Sequence, residues 1–172
     1  MVPYKELFAT GQRFDGFVKT GLPAELTATQ HFADRIRRPG ELSTATQQRL
    51  TAIQGTYHLL IAGEIWCPDC QINVAAFDYL CEVQPAIDLA IVSRGRAQNT
   101  LQTELGLEKI AIPLVLVLDE HFRLIGQFVE RPQGVVTDGG EQALREYKMG
   151  NHMQDSIMEV LAMIEMFEKQ AV

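Results

Sequence analysis

Tyr57-His58-Leu59-Leu60-Ile61-Ala62-Gly63-Glu64-Ile65-Trp66-Cys67-Pro68-Asp69-Cys70 is the stretch whose reading decides the fold. Its first six residues form a short, nearly continuous apolar run, as expected of a strand buried on both faces. After the cysteines a helical pattern runs through Val74, Phe77, Leu80, Cys81 and Val83 until Pro85 ends it. Ile87 to Val92 then reads as a second buried strand. Strand, helix, strand in this order requires a right-handed parallel crossover.

The Cys67-Pro68-Asp69-Cys70 segment sits where the first strand gives way to the helix. Cys67 falls at the N-cap, where unpaired backbone N–H groups and the positive end of the helix dipole favour a thiolate. Pro68 at the first helical position loses nothing by lacking an N–H, and its fixed φ starts the turn. Two intervening residues put Cys70 one turn on, within the short Cα separation that a disulfide demands. Moving a thiol pKa from about 8.5 to about 7 corresponds to roughly 2 kcal/mol of thiolate stabilisation, which a helix terminus plus hydrogen bonds can supply. Half of a zinc site has the same spelling, but zinc needs two more ligands. Cys81 is three turns along the same helix, about 16 Å away, and His31, His58, His121 and His152 are scattered. A redox pair is therefore expected and a metal is not.

Working outward, Tyr4, Leu7, Phe8, Gly11, Phe14 and Val18 predict one amphipathic helix stopped at Gly21. A second begins at Pro23 and continues through Leu26, Thr29, Phe32, Ala33 and Ile36 to Pro39-Gly40. Ser43 is a fitting N-cap for a third, which turns Leu50 and Ile53 inward and ends at Gly55. Beyond the second strand, residues about 97 to 106 read as a helix. Leu114–Leu118 and Arg123–Val129 flank the polar turn Asp119-Glu120-His121 as a hairpin. After a loop, RPQGVVTDGG, two helices close the chain, the last with Met153, Ile157, Val160, Ile164 and Phe167 on one side. The reading is an α/β fold: a mixed sheet of about four strands sandwiched by helices. Residues 1–55 are its helical extension and 56–172 the main domain.

Composition sets the outer bounds. The 172 residues are 47% hydrophobic and 22% charged, with 13 Gly and 7 Pro, which excludes a disordered tail or a disulfide scaffold. A net charge of −7 repels phosphate polymers, so nucleic acid is not an expected partner. The longest apolar stretch, Ala111 to Leu118, is far short of the roughly 20 residues a bilayer requires, so no membrane is expected either. The opening MVPYKELFATGQRF has no basic region followed by an apolar core, and a reducing cytosol is the expected compartment. Three cysteines there are not read as structural bridges.

Trp66-Cys67-Pro68-Asp69-Cys70 has the form of the W-C-x-x-C site of the thioredoxin superfamily, and Ile112-Pro113, with Pro113 43 residues after Cys70, matches that family's cis-proline. The chain resembles this family over about residues 56 to 130. It is similar to bacterial thioredoxin-like proteins with an N-terminal helical extension and a WCPDC site. The resemblance implies a three-layer sandwich and a dithiol–disulfide oxidoreductase that needs no bound cofactor. Cys67 would attack a substrate disulfide and Cys70 would resolve the mixed disulfide. Pro113 would face the pair, Ile112 would offer its backbone to an extended substrate, and Trp66 would form an apolar rim. The implied partners are disulfide-containing proteins or small thiols and an electron-donating reductase.

Two departures stand out. The buried Asp that thioredoxins carry six positions before the first cysteine is Ile61 here, and its Lys partner is replaced by Leu89 or a neighbour. The candidates for moving the Cys70 proton are then Asp69 and Glu64. The central dipeptide is Pro-Asp, and the Asp69 charge opposes a Cys67 thiolate while the helix dipole favours it. A moderately lowered Cys67 pKa and a reducing couple are expected.

Other residues have plainer readings. Cys81 is a buried small side chain, His58 ends a strand, Arg35, Arg37 and Arg38 form an exposed helix face, and Arg94 and Arg96 are a solvated loop rather than an anion site. The Met-rich terminal helices are core filler, with a homodimer face as the alternative. A second function class stays open: a non-catalytic thioredoxin-like binding or redox-sensing module.

Overall fold

Residues 57–62 form one of the two inner strands of the sheet. In the computed structural model, which describes residues 3–172, the chain runs α1 (Pro3–Thr10), α2 (Phe14–Lys19), α3 (Pro23–Ile36), α4 (Thr44–Thr51), β1 (Tyr57–Ala62), α5 (Pro68–Val83), β2 (Ile87–Val92), α6 (Arg94–Leu105), β3 (Leu114–Leu118), β4 (Leu124–Val129), α7 (Gln133–Asp138), α8 (Glu141–Lys148) and α9 (Met153–Gln170). Met1 and Val2 of the 1–55 segment lie outside the described residues. The sheet has the order β2-β1-β3-β4, with β1 parallel to β2 and the other two pairs antiparallel. This is the mixed sheet of a thioredoxin-like α/β fold.

Alternation along β1 sorts the layers. Tyr57 points to one face, where its ring meets Phe167 of α9 edge-on and its hydroxyl donates to Glu168 at 2.9 Å. His58 points to the other, stacked on Phe122 and edge-on to Phe8 of α1. α5 packs against α9, and α3 lies over α5. Gly126 on β4 lets α9 close in, since a Cβ there would sit 2.6 Å from the Met163 sulfur. Arg37, exposed as expected, also ties the end of α3 to α5 through Asp78 at 3.0 Å and Glu82 at 2.6 Å. One apolar core includes Ile36, Leu50, Leu59, Ile61, Phe77, Leu101, Leu116, Phe128 and Ile157. The first four helices thus share it with the sheet. No helix of the described residues is long and apolar enough to cross a membrane.

Three local readings need correction. The single N-terminal helix is two, because Gln12 leaves the helix to exchange both backbone hydrogen bonds with Ile91 of β2, each at 2.8 Å. An unpaired strand edge outcompetes continued helix there. α6 starts at Arg94 rather than 97, with the Ser93 hydroxyl accepting the Arg96 N–H as its cap. Arg94 and Arg96 therefore stand in a helical first turn and not in a loop. The segment RPQGVVTDGG contains α7, begun after Pro132 and stopped by Gly139 at φ +60°.

Candidate active site

The turn between β1 and α5 brings both cysteines to the same end of the sheet. Cys67 is the N-cap of α5 with extended backbone (φ −82°, ψ 120°), and Pro68 takes the first helical position. Gln71 fastens the preceding turn, its side-chain amide donating to the Ile65 carbonyl at 2.8 Å. Trp66 stands 58% exposed beside Cys67, which is only 7% exposed, while Cys70 is fully buried. The Ile112–Pro113 bond is cis. The Cys67 thiol points at the Ile112 carbonyl, 3.8 Å away, and Pro113 is buried behind it.

The two thiols are in different electrostatic positions. Cys67 is pulled down to about 7, first by a hydrogen bond from the Cys70 side chain. Backbone N–H groups of Cys70 and Asp69 add to this, against burial and the Asp69 charge. Cys70 is pushed well above the ordinary thiol range, by its role as donor to Cys67 and then by burial. The Glu64 backbone N–H donates to the Cys70 sulfur at 3.5 Å. A Cβ on Gly63 would approach that sulfur to 3.2 Å, so the strand end is fitted closely around it.

Beneath Cys70 the floor is apolar. Ile61 is fully buried and in register with Ile91 on β2 and Val115 on β3, so its partner on the next strand is Ile91. Leu89 pairs two residues away, with Leu59. Neither candidate for proton transfer is free of other bonds. One Glu64 carboxylate oxygen accepts the Arg94 N–H at 2.9 Å. The Asp69 carboxylate accepts the Tyr147 hydroxyl at 2.8 Å and the Arg131 guanidinium at 3.2 and 3.5 Å.

Those last two residues open a network that sequence reasoning missed. Asn73, fully buried on α5, donates through its amide to the Asp69 and Glu130 carbonyls and the Tyr147 hydroxyl, each at 2.9 Å. Its oxygen accepts the Ser156 hydroxyl of α9 at 2.6 Å. Two amide hydrogens serve three acceptors, so one bond is shared. Glu130 has φ +59°, and the Arg131 N–H donates to the Val129 carbonyl at 2.7 Å, closing a three-residue turn. A polar Asn in the apolar run Ile72-Asn73-Val74-Ala75 was the available signal. Its partners Glu130, Tyr147 and Ser156, 57 to 83 residues away, had none.

The remaining candidates stand apart. Cys81 is partly rather than fully buried, and burial pushes its thiol up. His58 pairs with Asp88 at 2.6 Å. The Arg96 guanidinium reaches the Thr10 carbonyl at 3.4 Å. No three His, Cys, Asp or Glu side chains among the described residues converge as metal ligands would.

A family model described as thioredoxin matches residues 15–144. A crystal structure of a protein of unknown function from Pseudomonas aeruginosa is 53% identical, with a TM-score of 0.90, covering 94% of this chain and 96% of that one. An HIV epitope-scaffold is 51% identical with a TM-score of 0.90, covering 94% and 97%. A search among curated proteins finds no match.

Proposed function

This chain belongs to the thioredoxin family, and from that premise we propose that it is a dithiol–disulfide oxidoreductase that reduces disulfides through Cys67 and Cys70. The observation that carries the reading is the placement of the two thiols: Cys67 at the N-cap of α5 with its sulfur beside the Ile112 carbonyl, and Cys70 fully buried one turn on. The Cys67 thiolate attacks one sulfur of a substrate disulfide and the other sulfur leaves as a thiol on taking a proton. Cys70 then loses its proton and attacks the Cys67 sulfur. The second substrate thiol is released and a Cys67–Cys70 disulfide remains. Two electrons have passed to the substrate, and an electron-donating reductase returns them. Exposed Trp66 and the Ile112 backbone form the surface against which an extended substrate segment lies. The substrates are disulfide-bearing proteins or small molecules, and the setting is the reducing cytosol.

The apolar floor at Ile61 favours the alternative, a thioredoxin-like binding or redox-sensing module, because among the described residues no buried acid stands beneath Cys70 to take its proton. Turnover separates the two. With dithiothreitol as electron source, the native protein accelerates reduction of a protein disulfide and Cys67→Ser does not. Equal rates for the two proteins end the enzyme reading. Cys70→Ser holds substrates as mixed disulfides on Cys67 and so identifies them.

A further inference from the structure

The Asp69 charge, two residues on, opposes a Cys67 thiolate, and the fold pairs that carboxylate. Arg131 approaches with Nε 3.2 Å from Oδ1 and Nη2 3.5 Å from Oδ2, and the guanidinium lies 5.8 Å from the centre of the Tyr147 ring. The pair is sheltered, with side-chain exposures of 34% for Arg131 and 19% for Asp69, so water screens it incompletely. Arg131 is brought there by the tight turn at Glu130, whose positive φ is uncommon for a residue with a Cβ. The Asn73 amide holds the Glu130 carbonyl and so fixes that turn to α5 itself.

We propose that Arg131 is a positioning residue for the thiol chemistry: by pairing with Asp69 it withdraws that carboxylate charge from the Cys67 sulfur. The inference deepens the oxidoreductase reading and concerns the same site. The titratable groups around the thiol are Cys70 and Asp69 on α5, Glu64 on the turn before it, Arg131 and Tyr147 reaching Asp69, and Glu130 acting on Arg131. From the β3 side, Ile112 and Pro113 bring no charge. Asp69 also suits the helix N-terminus, so the chain keeps an acid that supports α5 while Arg131 offsets its cost to the thiolate.

The test is the pH dependence of Cys67 alkylation by iodoacetamide in the reduced protein, which needs no substrate. Arg131→Gln raises the midpoint by about 0.5 to 1 pH unit, the order expected when a nearby like charge is left unpaired. Asp69→Asn lowers it, and adding Arg131→Gln to Asp69→Asn changes it by less than about 0.2 unit, as coupled neighbours require. Arg131→Lys, which keeps the charge, restores most of the native midpoint. An unchanged midpoint in Arg131→Gln overturns the proposal. So does a shift of equal size in both backgrounds, because Arg131 would then act on the thiolate directly. Should Arg131→Gln fail to fold alone, the Asp69→Asn background still decides: a midpoint that moves by about 0.5 unit or more when Arg131→Gln is added there shows Arg131 acting on the thiolate directly and overturns the proposal. A native protein that never forms the Cys67–Cys70 disulfide sinks the oxidoreductase reading instead, whatever the Arg131 series shows.

Discussion

At the residue scale the site rests on one asymmetry between neighbours. Cys67 caps α5 and its thiol is pulled down; Cys70 is fully buried and its thiol is pushed up. Below a pKa of about 7 the Cys67 thiol is protonated and unreactive, and above it the thiolate fraction saturates. Its alkylation rate therefore climbs about tenfold per pH unit on the acid side and levels off above pH ~7, against a midpoint of about 8.5 for an ordinary thiol. Mass-spectrometric labelling of residue 67 across pH 5 to 9 checks this. The cap position was legible in advance because strand, proline and cysteine spacing are all local. The pairing of Asp69 was not, since Arg131 and Tyr147 are 62 and 78 residues distant and come near only through the fold.

At the scale of elements, α5 is held by a buried polar knot as well as by apolar packing. Asn73 links it to α8 through Tyr147, to α9 through Ser156 and to the end of β4 through Glu130. Tyr147 is fully buried, and its hydroxyl serves both Asp69 and Asn73. Tyr147→Phe keeps the ring and removes those bonds, so it costs about 1 to 3 kcal/mol of stability, the range for buried groups left unpaired. Urea denaturation measures it as a lower midpoint with an unchanged slope. Element types were readable from period and capping residues: Ser43 does accept the Thr46 N–H, and Pro23 and Pro68 do open their helices. Breaks set by distant partners were not. Nothing local in Gly11-Gln12-Arg13 says that Ile91 is waiting for it.

At the scale of the whole molecule, the N-terminal helices are woven into the sheet's own packing. Gly11 passes so close to β2 that a Cβ would lie 2.7 Å from the Ala90 Cβ and 3.1 Å from the Ile91 nitrogen. Backbone on the other side of that contact cannot rotate away. Gly11→Ala therefore pushes α1 off the sheet and destabilises the protein by about 1 to 3 kcal/mol, as overpacking does. A lower melting temperature with loss of hydrogen-exchange protection at Gln12 and Ile91 is the expected signature. The two-way exchange between those residues has a second effect, on how molecules meet one another. A lateral strand with bare amides is a template for polymerisation through the backbone. At Ile91 both groups are already spoken for by the chain's own Gln12, so a foreign segment seeking to extend the array on that flank finds its landing point occupied.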